Sequence, residues 1–113
     1  MDIKQLTEEM NRFVRSKGWY EENSQHPQTP RNLAISLTLE AAEILEHFQW
    51  HEAVKDKEEL ASELADVALY LLELASVTEI DLELAILKKL EINKTREWDT
   101  DGLNVDHPMS PDV

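Results

Sequence analysis

Two short acidic words, each set inside apolar helical text, constrain this chain more than anything else in it. The first is Glu40-Ala-Ala-Glu43, within LAISLTLEAAEILEHF, and the second is Glu63-Leu-Ala-Asp66, within ELASELADVALYLLELA. Carboxylates three residues apart stand side by side on one helix face. Their Leu, Ala, Ile and Val neighbours place these acids toward the packed side of their helices. A buried carboxylate is costly unless it is protonated, paired or bound to a cation. No Lys or Arg occurs between Arg31 and Lys55, or between Lys57 and Lys88, so neither pair has a basic partner in its own helix. Four convergent carboxylates on two helices therefore suggest a hard-cation site, with Mg²⁺ the first choice.

Helix signals surround both words. Asp2 with Gln5 forms a capping-box pattern that opens a first helix, and Gly18 closes it. After an irregular stretch from Trp19 to Thr29, Thr29-Pro30 starts a second helix expected to reach Trp50 or a little beyond. Asp56 caps a third that runs to about Thr78, and Asp81 restarts a fourth that runs to about Trp98. A short connection makes the second and third helices antiparallel neighbours. The expected fold class is all-α and four-helix-bundle-like. Residues 1–98 form the helical domain, and 99–113 form an irregular or disordered tail with two prolines and four aspartates.

Charge and composition narrow the function. A net charge of −13 over 113 residues argues against a nucleic-acid polymer or an anionic membrane as partner. The absence of cysteine fits a reducing compartment. The opening MDIKQLTEEM is unlike a basic-then-apolar leader, and no apolar run approaches the length needed to span a bilayer. A soluble, cytoplasmic protein is expected. Glu-x-x-His is missing, which speaks against a carboxylate-bridged iron bundle. His47 and His51 are four apart, but such a pair near a helix end more often serves the helix dipole than a metal.

Positive charge gathers late in the chain. Lys88, Lys89, Lys94 and Arg96 are four of eleven basic residues within nine positions. Lys89, Asn93 and Arg96 share one stripe, suited to a di- or triphosphate or to a solvated helix end.

Taken together, Glu40-x-x-Glu43, nineteen residues, then Glu63-x-x-Asp66 resembles the signature of the MazG-type nucleoside triphosphate pyrophosphohydrolases, in the branch of the small dCTP pyrophosphatases. The resemblance extends through Pro30-Arg31-Asn32-Leu33, Phe48-Gln49-Trp50, Val67, Tyr70, Lys89-Leu90, Asn93 and Arg96. It covers roughly Met1 to Trp98. It implies a homodimer or homotetramer that converts a nucleoside triphosphate to monophosphate and pyrophosphate with Mg²⁺, for which Mn²⁺ can substitute. Carried over by position, Glu40, Glu43, Glu63 and Asp66 would hold the metal and form the catalytic centre. Lys89, Asn93 and Arg96 would meet phosphates or sugar, with Tyr70 and Arg31 as further substrate contacts. Trp50 and Trp19 would line the base pocket. His26 is a further candidate substrate contact that departs from the pattern: relatives often carry a His just before the Pro-Arg/Lys-Asn segment, whereas here His26 is displaced upstream and Gln28-Thr29 stand nearer. The related all-α dUTPases and phosphoribosyl-ATP pyrophosphohydrolases are alternatives, and a non-catalytic acidic interaction module is the alternative of another class.

Overall fold

A computed structural model describes residues 1–96. It holds four helices and, among the described residues, no strand: α1 (Ile3–Ser16), α2 (Pro30–Glu46), α3 (Lys57–Val77) and α4 (Leu82–Thr95). The expected tail, 99–113, lies outside the described residues, as does the expected end of α4 at Trp98.

The helix starts follow the side chains that the sequence offers as caps. Asp2 accepts the Gln5 N–H at 2.8 Å while Gln5 Oε1 accepts the Asp2 N–H at 2.9 Å, so two otherwise orphaned donors are satisfied. Thr29 caps α2 through the Asn32 N–H at 3.1 Å, with Pro30 in the first turn. Asp56 caps α3 through the Glu59 N–H at 3.0 Å. Each such cap contributes about 1 kcal/mol.

The helix ends also have visible causes. At the end of α1, Gly18 adopts φ 71° while its N–H bonds Arg15 C=O and the Trp19 N–H bonds Val14 C=O. At the end of α3 the same pattern recurs with Glu79 at φ 59°, Glu79 N–H on Ser76 C=O and Ile80 N–H on Ala75 C=O. Both are left-handed helix stops of the Schellman type.

α2 stops at Glu46, about a turn short of the expected Trp50. From His47 to Gln49 the bonds run to the third residue back, a tightened last turn. Trp50 is 81% exposed, so no packing within the chain supports a further turn there.

The chain divides into two compact units, Met1–Leu82 and the residues from Glu83 onward. Within the first, α3 packs extensively on α2 and also on α1. Met10 and Val14 of α1 meet Leu72 of α3, with Ile3, Trp19, Tyr20 and Leu82 packed around them, while Leu33 is the most deeply buried side chain. The core is thin. Ile35, Leu39, Leu45, Leu64 and Leu71 remain exposed, a large apolar area for one chain to leave in water. In the second unit, α4 has no buried residue.

Candidate active site

The two acidic words lie on helices that pack against each other, and their charges reach Glu40. Glu40 has its carboxyl pushed above the usual range, first by loss of solvent, then by the nearby charges of Glu43 and Asp66, a hydrogen bond from Glu43, and the charge of Glu63. Like charges at this range disfavour one another's ionised form. The other three carboxyls therefore lie within electrostatic range of Glu40.

Burial differs from the sequence-based expectation. Glu43 and Asp66 are exposed, whereas Glu40 and Glu63 are half-buried. The apolar neighbours expected to enclose these acids, Leu39 and Leu64 among them, are themselves exposed in the single chain.

His47, which caps the end of α2, reaches across to α3. Its Nε2 lies 2.6 Å from Glu63 Oε2, and both side chains are mostly buried. His47 pairs with Glu63 while Glu40 feels Asp66, one turn further along α3, so contacts advance along α3 as they retreat along α2. The two helices run antiparallel, as expected. His47, Glu59 and Glu63 also offer ligand atoms within 4.8 Å of one another. Neither His47 nor Glu59 was singled out as a ligand from the sequence. Glu59 reads there as one of two adjacent acids in a capped first turn, although its spacing of four from Glu63 places both on one face. His51 is exposed in the connection and shares no helix with His47.

Beside the acids lies a cavity of about 900 Å³. Asp66, Tyr70 and Glu73 line it from α3, Met10 and Phe13 from α1, and Trp19, His26 and Gln28 from the connection between α1 and α2. Phe13 meets Trp19 edge-on at 5.7 Å, and Trp19 meets His26 at 6.0 Å, forming an aromatic wall. The sequence-predicted residues thus sort by place. Trp19, Tyr70 and His26 line the cavity with Asp66, while Trp50 and Arg31 stand exposed outside it. Arg31 instead borders a shallow groove with Ile35 and Leu39. Lys89, Asn93 and Arg96 are half-buried in the second unit.

Sequence reasoning missed Glu73. It is buried, 5% exposed, and its Oε2 has no hydrogen-bond partner. Desolvation raises its carboxyl above the usual range. Nearby, the Tyr20 hydroxyl donates to Asn11 Oδ1 at 2.6 Å, and Asn11 Nδ2 donates to Ser76 Oγ at 2.9 Å. Burial, then the charge of Glu73, push the Tyr20 phenol up to about 12, against a smaller opposing effect of Arg15.

Residues 35–104 match the model of the MazG-like family, and the chain belongs to that family. It is 34% identical over 104 residues to human dCTP pyrophosphatase 1, an alignment covering 84% of this chain and 56% of that protein. To the mouse dCTP pyrophosphatase 1 it is 32% identical with the same coverage. The chain spans about half the length of these curated relatives. Among solved structures it resembles a pyrophosphatase from Archaeoglobus fulgidus DSM 4304, with a TM-score of 0.69 and 36% identity over 80% of this chain and 87% of that one.

The donor set fits a hard divalent cation. Glu43, Asp66 and Glu63 bring negative charge within range of Glu40, and His47, Glu59 and Glu63 offer ligand atoms within 4.8 Å of one another.

Proposed function

We propose that the chain is a nucleoside triphosphate pyrophosphohydrolase, cleaving a nucleotide such as dCTP or a modified relative to the monophosphate and pyrophosphate in the cytoplasm. The acids of α2 and α3 whose charges reach Glu40, with Asp66 bordering an aromatic-walled cavity, carry this reading. Family membership and the pyrophosphatase names of its relatives support it.

Glu40, Glu43, Glu63 and Asp66 would hold Mg²⁺. The cation supplies charge neutralisation and orientation of the phosphates and makes water a better nucleophile. The protein's own groups do the rest. One of these carboxylates would accept the proton of the attacking water at an oxygen. Water adds at one phosphorus of the α,β-anhydride, the bridging P–O bond breaks, and monophosphate and pyrophosphate leave. Trp19, Tyr70 and His26 present an aromatic wall to the base. Lys89, Asn93 and Arg96, which share one stripe, carry charge and amide groups of the kind that bind phosphates.

A homodimer or homotetramer belongs to the same reading. Leu39, Leu45, Leu64 and the 81%-exposed Trp50 form apolar surface that a second copy would cover, and the cover would also seclude the acids.

The test is Mg²⁺-dependent pyrophosphate release from a panel of deoxyribonucleoside and ribonucleoside triphosphates, wild type beside Glu43→Gln. Pyrophosphate with the matching monophosphate, lost in the variant, is the expected result. Release of inorganic phosphate alone would reject the proposed bond. No product from a folded chain would leave a non-catalytic binding module as the better reading.

A further inference from the structure

We propose that Glu73 determines base specificity, reading an edge that sets an exocyclic amino group beside a ring-nitrogen acceptor, as in cytosine or adenine. The inference rests on the nucleotide reading above and concerns the far end of the same cavity. Asp66, Tyr70 and Glu73 follow one another at i, i+4 and i+7 on α3, and all three line the cavity. Seven residues of helix span roughly 10 Å. That separation between the metal-binding acids and Glu73 is comparable with the reach of a nucleotide from its phosphates to the far edge of its base.

Glu73 is an expensive residue for a core position. It is 5% exposed, it lines the cavity together with Met10 and Val14, and Oε2 is without a hydrogen-bond partner. Tyr20 is close, yet its hydroxyl is committed to Asn11, and no salt bridge reaches Glu73 among the described residues. A buried polar group of this kind is completed by something absent from the chain itself. The cavity it borders is where that something enters.

The chemistry of the missing partner follows from that of the carboxyl. Without a cation beside it, the acid favours its neutral form. A neutral carboxylic acid presents one O–H donor next to one acceptor oxygen. An amino group beside a ring nitrogen matches both at once: the nitrogen accepts from the O–H, and the amino N–H donates to the carbonyl oxygen. The ring nitrogen of an aminopyrimidine is far more basic than the carbonyl oxygens of thymine or uracil. It can therefore share the carboxyl proton and compensate the burial. A site that hydrogen-bonds a substrate N–H strongly disfavours analogues lacking it, because its own buried groups are then left unpaired.

The test is titration calorimetry of the full chain with dCMP, dAMP and dTMP, for wild type, Glu73→Leu and Glu73→Gln. Monophosphates without added metal separate base recognition from catalysis. Wild type is expected to bind dCMP or dAMP at least about tenfold more tightly than dTMP. Glu73→Leu, an apolar replacement suited to its buried setting, should abolish that preference. Glu73→Gln keeps one donor and one acceptor and should retain most of it. Equal affinities in wild type, no binding, or a preference that survives in Glu73→Leu would overturn the inference. Pyrophosphate release from triphosphates reports independently on the enzymatic reading, so a Glu73-dependent preference without turnover refutes that reading alone. Turnover with a base preference insensitive to Glu73 refutes this one alone.

Discussion

The His47 imidazole and the Glu63 carboxylate, 2.6 Å apart, join the end of α2 to the start of α3 at the edge of the acidic cluster. Their side chains are 11% and 17% exposed, so the pair is protected from competing water. If Nε2 carries the ring proton, it donates to Glu63 Oε2 and leaves the other carboxylate oxygen to face the cluster. Partners of this kind hold a ligand in its working orientation. His47→Ala should therefore raise the Mg²⁺ concentration needed for half-maximal activity by about 10–100-fold, with a smaller change at saturating Mg²⁺. A Mg²⁺ titration of pyrophosphate release, wild type against variant, measures it. An unchanged half-saturation point would show that the pair serves only to tie the helices together.

Glu73 gives the chain a pH dependence whose sign can be worked out. Burial raises its folded-state value above the ordinary 4.5. The folded chain thus holds this proton more tightly than the unfolded chain does, and stability falls as pH rises from about 4.5 through the raised value. At neutral pH the residue is a liability. Glu73→Gln should stabilise the metal-free and ligand-free protein by about 1–3 kcal/mol at pH 8. That gain should shrink steadily as pH falls toward 4.5. Urea denaturation of both proteins across that range reads the difference directly. A gain independent of pH would assign the effect to packing.

Tyr20 reports on the same carboxyl from the other side. Its phenol, held up to about 12 by burial and by the charge of Glu73, should ionise well above a free tyrosine. Because the raised value belongs to the folded state, this contribution to stability is complete below about pH 10 and is lost as pH rises toward 12. In Glu73→Gln the ionisation should move back down but stay above 10, since burial, the larger cause, persists. Ultraviolet difference titration, with Tyr20→Phe subtracted to isolate the residue, follows it.

The sequence was a good guide wherever structure is decided locally. Asp2 with Gln5, Thr29 with Pro30, and Asp56 all start helices where side-chain chemistry places them. The spacing of three within each acidic word survives into the folded chain, on helices that pack against each other. What could not be read depended on which apolar faces find a partner. Periodicity promised enclosure for the acids, yet Leu39 and Leu64 stay exposed, and α2 stops short of Trp50. The His47–Glu63 pair crosses between helices, so no pattern within either helix announces it. Glu73 was hidden by its company. In YLLELA it is one acid among twenty-four, and only its spacing of seven from Asp66 hints that it shares their face.

The two left-handed helix stops form a matched pair with a built-in control. Gly18 at φ 71° and Glu79 at φ 59° make equivalent hydrogen bonds, but only Gly18 lacks a Cβ. A side chain in this region costs roughly 1–2 kcal/mol through its clash with the following carbonyl. A glycine there gives back part of that gain through the greater freedom of the unfolded chain. Glu79→Gly should therefore stabilise by about 1 kcal/mol. Gly18→Ala should destabilise by a similar amount: the nearest atom to an added Cβ is Glu21 Cγ at 3.9 Å, an ordinary contact, so only the backbone term remains. Glu79 is exposed and lines no part of the cavity, so its replacement should leave nucleotide binding and pyrophosphate release unchanged. Urea midpoints of the two variants, shifted in opposite directions at constant slope, would confirm that the strain lies in the backbone. A loss of stability in Glu79→Gly would instead mean that the Glu79 side chain contributes more than its conformation costs.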